Sequence, residues 1–182
     1  METQNVKRME IKALTKIIKK TLKATYPGVK FSVRGDRHSI RVEYYDGPTK
    51  SEVEKIARVG GEGFDGMIDM RYLYYHWFNP KTNDIQVAGT SGTVGSGGSV
   101  SEFWNPKPSE DYEMVKIAAD FVFVSRLYTK EGATKMMDLF TSRAHLYGNV
   151  EVKESYQGFD PKFSDRRDSE NFWRESQKIS LL

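Results

Sequence analysis

Three histidines, His38, His76 and His145, are the residues best suited to acid–base or metal chemistry in this chain of 182 residues. A catalytic histidine needs a neighbour that orients it and a pocket that tunes it, and a zinc site needs ligands at defined spacing. No two of these histidines stand at ligand spacing, and His76 lies between Tyr75 and Trp77, which suits a packed or interface position. Carboxylates such as Asp65 and Asp69 complete no recognisable constellation with the histidines. The chain has no cysteine, which removes thiolate metal sites, thiol nucleophiles and disulfides together. No catalytic residue, metal or cofactor is therefore expected, and the chain is expected not to be an enzyme.

Gly61-Glu62-Gly63-Phe64-Asp65-Gly66 spells the dinucleotide-binding string. The chemistry of that motif needs a strand before it and a helix N-terminus after it, so that backbone N–H groups meet a pyrophosphate. Here a helical pattern precedes and an aromatic strand pattern follows, so the glycines read as a tight connection.

Cations carry the clearest chemical signal. Residues 1–41 hold 11 Lys and Arg against 3 Asp and Glu, whereas the other 141 hold 17 against 22. Lys12, Lys16, Lys19, Lys20 and Lys23 recur along one amphipathic segment, and Arg34, Arg37 and Arg41 follow on the next elements. Such a surface can track phosphates, because each neutralised phosphate releases counterions. A second cluster, Tyr72, Tyr74, Tyr75 and Trp77, offers flat rings that stack bases or anchor a protein interface.

The elements that must position these groups follow from periodicity. From about Val6 to Thr25, apolar residues at spacings of three and four predict a helix that ends at Tyr26-Pro27-Gly28. Alternation at Val29, Phe31 and Val33, and then at Ile40, Val42 and Tyr44, predicts a hairpin around Gly35-Asp36. Thr49-Lys50-Ser51-Glu52 is a capping box that opens a short helix. Aromatic content predicts a strand from Met70 to Phe78, broken by Asn79-Pro80. Gly89 to Ser101, with five Gly and four Ser among thirteen residues, reads as a flexible loop. Ile117 to Tyr128 reads as one strand buried on both faces, with Val122 and Val124 packing against Phe31 and Val33. A helix to about His145 and a strand at Asn149 to Ser155 follow.

This order of elements predicts an α+β fold, a small, mainly antiparallel sheet with helices packed on it. Residues 1–155 form a single domain in this reading, and residues 156–182 a C-terminal helical appendage. The polar N-terminus lacks a secretory pattern and no window has the apolar length of a membrane span, so a cytoplasmic location is expected.

The strings Tyr26 to Arg34, Ile40-Arg41-Val42, Asp46-Gly47-Pro48-Thr49 and Gly63-Phe64-Asp65-Gly66-Met67 resemble a large polyvalent protein-associated domain of phages and conjugative elements. Ala119-Asp120-Phe121-Val122-Phe123 and Ser125-Arg126 resemble the end of that domain, so the likeness covers about residues 8–128. It implies a mobile-element origin and supplies no catalytic residues. A short stand-alone version is similar to anti-CRISPR proteins that inhibit the type II effector nuclease. The function so implied, and the leading expectation, is an anti-CRISPR protein that binds the type II effector nuclease with its guide RNA and blocks its engagement with target DNA, with DNA as a further ligand; the alternative is a nucleic-acid-binding accessory module of a mobile element.

Overall fold

A computed structural model describes residues 6–57, 59, 62–65, 70–92, 101–143, 146–155 and 157–181. In chain order the elements are β1 (Lys7–Met9), α1 (Ile11–Thr25), β2 (Phe31–Gly35), β3 (Ser39–Tyr45), α2 (Lys50–Ala57), β4 (Glu62–Asp65), β5 (Met70–Asn79) and β6 (Asp84–Thr90). Then come β7 (Phe103–Trp104), β8 (Glu113–Ile117), β9 (Phe121–Leu127), α3 (Lys130–Thr141), β10 (Val150–Ser155), β11 (Gly158–Phe163) and α4 (Arg166–Ser176). Helices packed with separate sheets make this an α+β fold, as the order of sequence patterns predicts. Among the described residues, no helix is long and apolar enough to cross a membrane.

The chain divides into two compact units. The first comprises Met1–Lys20, Val33–Arg41 and Arg58–Phe123; the second comprises Thr21–Ser32, Val42–Ala57 and Val124–Leu182. In the first unit, one sheet runs β1-β8-β5-β6-β7, with β4 also paired to β5. β1 lies parallel to β8, and the pairings of β5 with β4, β6 and β8 are antiparallel. Strands β2, β3 and β9 form a second sheet in that order.

Several expectations need correction. The helix predicted from Val6 begins only at Ile11, because Lys7–Met9 is recruited as a strand against β8. Met9 is still buried, but through strand pairing and not through a helical stripe. The glycine string at 61–66 contributes a strand, Glu62–Asp65, paired with Met70–Leu73, and not merely a tight connection. The long strand predicted over Ile117 to Tyr128 is two strands, β8 and β9, separated by Ala118-Ala119-Asp120. In β9, Val122 and Val124 are buried as expected, whereas Phe121 and Phe123 are 39% and 52% exposed. Alternation thus gives β9 one buried face. Phe31 and Val33 are half-buried.

The Gly/Ser segment is shorter than expected, since Gly89 and Thr90 belong to β6. Residues 93–100 of it lie outside the described residues, as does His145, where the helix after β9 was expected to end.

The second unit has its own core. Tyr128, Ala133, Met136, Phe140 and Phe172 are buried together, with Val152, Phe159 and Phe163 packed against them. The capping box closes as predicted: the Thr49 backbone N–H donates to Glu52 Oε2 at 2.8 Å, and the Glu52 N–H donates to Thr49 Oγ1 at 3.2 Å. From the sequence, residues 156–182 are an appendage; in the structure they supply β11, which pairs antiparallel with β10, and α4, whose Phe172 is fully buried. The polar composition of this stretch hides three aromatic residues, Phe159, Phe163 and Phe172, that cover one face of α3.

Candidate nucleic-acid interface

In α1 the buried positions are Leu14, Ile18 and Leu22, one turn apart. At about 100° per residue, Lys12, Lys16, Lys19 and Lys20 fall within roughly 100° of arc on the side away from that stripe. All four are exposed. Among the described residues, no ion pair joins any of them to a carboxylate. Lys23 is exposed in the last turn of the same helix, where a cation complements the carbonyl end, and it belongs to the second unit.

The hairpin supplies three further cations of the first unit. Its turn is fixed by Asp36, whose Oδ1 accepts from the backbone N–H of His38 at 3.0 Å and of Ser39 at 2.8 Å. Asp36 Oδ2 also accepts from Ser39 Oγ at 2.9 Å. These backbone donors hold the Asp36 carboxyl below its ordinary pKa, so it stays ionised in the turn. Arg34 precedes the turn, Arg37 lies within it and Arg41 follows on β3; all three are exposed.

Helix and hairpin meet at a groove of about 460 Å³ lined by Ile11, Lys12, Thr15, Lys16, Gly35 and Asp36. The approach is so close that a Cβ on Gly35 would stand 2.5 Å from Ile11 Cγ2 and 2.8 Å from Thr15 Oγ1. The structure therefore brings Lys12 and Lys16 together with the arginine-bearing turn, and Lys19 and Lys20 continue the line along α1. Thr15, Gly35 and Asp36 complete the groove; only the turn signal of Gly35-Asp36 marks them in the sequence.

The aromatic cluster is placed differently from expectation. Tyr75 and Trp77 are 5% and 6% exposed and pack with Ala88, Trp104, Tyr112 and Met114, so they are core and not interface anchors. The Trp77 indole N–H donates to the Asn105 carbonyl at 3.2 Å. β5 is flanked by β6 and β8, and that central position buries what a two-strand edge would expose. Tyr74 is half-buried beside Phe103, with ring centroids 6.3 Å apart. The Tyr72 side chain lies outside the described residues.

Of the histidines, His38 is exposed, with Nδ1 3.4 Å from Asp120 Oδ2. His76 is buried, and its Nδ1 has no partner among the described residues. Burial alone pushes its pKa down to about 4.

The family described as large polyvalent protein associated domain 29 matches residues 9–102, which is 94 of the 182 residues. The chain belongs to that family. The matched stretch contains α1, the hairpin and β5, so the cationic groove lies inside the family domain. The strings at Ala119 to Arg126 fall beyond it. Membership associates the chain with phages and mobile elements. No curated protein and no solved structure matches the chain.

Proposed function

We propose that this chain is an accessory protein of a phage or mobile element that binds nucleic acid through the groove between α1 and the β2–β3 hairpin, and that it acts by binding and not by catalysis. The observation that carries this reading is the groove that Lys12 and Lys16 line beside the Gly35-Asp36 turn, with Lys19 and Lys20 exposed on the same side of α1 and Arg34, Arg37 and Arg41 exposed in the adjoining hairpin. Phosphate contacts from such a surface supply affinity that is independent of sequence and steeply dependent on salt. Asp36 within the groove acts against a uniformly bound polyanion at that point and favours a strand that passes over the lysines of α1.

The test is a gel shift of the whole protein on duplex and single-stranded DNA at two salt concentrations. Binding that weakens steeply with salt supports the reading. Binding that is absent at low salt overturns it.

A second reading is inhibition of a type II CRISPR effector nuclease. It is favoured by the mobile-element association and by the division of charge inside the first unit. Residues 58–123 carry 9 Asp and Glu against 5 Lys and Arg, opposite in sign to the α1 segment. Such nucleases hold nucleic acid in positively charged channels, which an acidic surface complements. A pull-down of guide-loaded nuclease by the tagged protein decides it: capture that persists after nuclease treatment of free nucleic acid supports this reading, and no capture rejects it.

A further inference from the structure

The sheet of β2, β3 and β9 presents a face turned away from α1. A Cβ on Gly35 would meet Ile11 and Thr15 of α1 and, at 3.9 Å, Ile40 Cγ1 of β3. Gly35 and Ile40 therefore point to the helix side, and their strand neighbours Arg34 and Arg41 point to the other. Both arginines are exposed.

Backbone bonds place β9 on this face as well. The His38 carbonyl accepts from the N–H groups of Asp120 and Phe121 at 2.8 and 3.4 Å, and the Asp46 N–H donates to the Leu127 carbonyl at 2.8 Å. The starts of β3 and β9 thus meet, as do their ends, which makes the strands parallel. The bond from Phe121 to His38 and that from Asp46 to Leu127 share one register, with Ile40 beside Val122 and Arg41 beside Phe123. The first pair is buried and the second exposed. Phe121 and Phe123 stand side by side, with ring centroids 6.1 Å apart and planes 30° from parallel.

A single exposed apolar side chain is ordinary, but two adjacent rings beside an arginine form a patch that solubility opposes. Threonine or valine would suit the strand as well. A flat ring stacks any unpaired base, and a guanidinium holds phosphate. A duplex keeps its base faces inside its own stack, so such rings select the unpaired form. A second copy docked here by two-fold symmetry would crowd the arginines of both copies into one interface, which like charge disfavours. Acids border the face: Asp36 holds the turn, Asp120 is engaged with His38, and Glu43 follows Arg41 on β3. They confine phosphates to the arginines. From this juxtaposition of two exposed rings with Arg34 and Arg41, we infer that the face binds single-stranded nucleic acid, its bases stacked on Phe121 and Phe123. The inference rests on the reading of the chain as a nucleic-acid binder, and adds to the groove a surface that selects unpaired strands.

Fluorescence anisotropy of the full chain with labelled oligothymidylate, and with a duplex of equal length, tests this. Phe121→Leu and Phe123→Leu should each weaken oligothymidylate about tenfold, as loss of one stacked base does, and leave duplex affinity and the salt slope unchanged. Phe123→Tyr keeps a flat ring and should bind as the wild type does. Both leucine variants replace exposed side chains, and an unchanged melting temperature shows that they are folded. The chain with Lys12, Lys16, Lys19 and Lys20 changed to Glu should instead lose affinity for both forms. Oligothymidylate affinity unchanged in the folded double leucine variant overturns the inference and leaves the groove reading standing. Equal losses for single strand and duplex overturn it too. Single-strand binding that the lysine reversal spares and the leucine variants lose upholds this face and removes the groove; no binding of either form removes both. A dimer in light scattering that the leucine variants dissociate assigns the rings to a second copy and overturns the inference.

Discussion

The backbone of Gly35 rests against the side chain of Ile11, with no room for even a methyl group between them. This contact sets how near the arginine-bearing turn comes to the lysines of α1. Gly35→Ala forces a shift of the hairpin or of the helix, because the neighbour at 2.5 Å is the Cγ2 methyl of Ile11, carried on the branched Cβ next to the helix backbone. The expected loss is about 1–3 kcal/mol, the range for overpacking a filled site. Adding Ile11→Ala should return part of it, giving a favourable coupling in a double-mutant cycle. Additive losses in urea unfolding would show that the two residues do not press on one another.

Charge reversal of Lys12, Lys16, Lys19 and Lys20 to Glu should leave the protein folded, because Leu14 and Ile18, which anchor that stretch of helix, are untouched. Affinity for DNA should fall, and the slope of log affinity against log salt should flatten by about one unit per lost phosphate contact. If the ligand is instead an acidic protein surface, the loss should appear mainly as slower association, which high salt reproduces in the wild type. Unchanged binding by a variant with a native spectrum would reduce these lysines to a solvated helix face.

The parts of this site that sequence reveals are those set by local rules. The amphipathic repeat of α1, the Gly35-Asp36 turn and the Thr49–Glu52 box each follow from neighbours within a few residues, and all three form as the sequence predicts. What local rules miss is partnership across long separations. Lys7–Met9 becomes a strand only because residues 115–117 lie beside it, and Tyr75 and Trp77 are buried only because β6, β7 and β8 complete their sheet. Arg8 and Lys116, distant in sequence, are neighbours for the same reason. Alternation correctly separates Val122 and Val124 from Phe121 and Phe123, but bulk and β-branching alone do not say that the second pair faces solvent.

His76 makes stability fall toward acid. Its partners across the ladder are Val115 and Val87, and burial pushes its pKa down to about 4 from 6.5. The unfolded chain therefore binds a proton that the folded chain refuses throughout that window. Stability is full above the unfolded value and declines as pH falls toward the folded one, by roughly 2 kcal/mol between about pH 7 and about pH 5. Carboxylates whose pKa is lowered, such as Asp36 and Glu52, lose their contribution only below their unfolded values near pH 4, so they do not mask the effect. Urea unfolding of the wild type and of His76→Leu at the two pH values checks this. The variant should lack the decline, and an equal decline in both assigns it to other groups.

Residues after 155 should be indispensable to the second unit. Phe172 of α4 is fully buried, with its ring 5.4 Å from Phe140 and 5.2 Å from Phe163. Arg126 ties the same segment down: its guanidinium donates to the carbonyls of Ser176 and Ile179 at 3.2 and 2.8 Å, and to those of Asp46 and Gly47 at 3.2 and 2.9 Å. Four neutral carbonyls around one cation leave it no carboxylate partner in these contacts, so its role here is to join backbone segments. Phe172→Ala should cost about 3–5 kcal/mol, as the loss of a buried aromatic side chain does. Arg126→Met keeps much of the side-chain volume but leaves four carbonyls short of a donor; it should lower the melting temperature by several degrees, with a loss of about 1–3 kcal/mol. A chain ending at Ser155 removes β11 and α4 together and should lose cooperative unfolding altogether, since α3 would then expose the face that Phe159, Phe163 and Phe172 cover. Differential scanning calorimetry of the three proteins measures all of this. A truncated chain that melts within a few degrees of the full one would restore residues 156–182 to the status of an appendage.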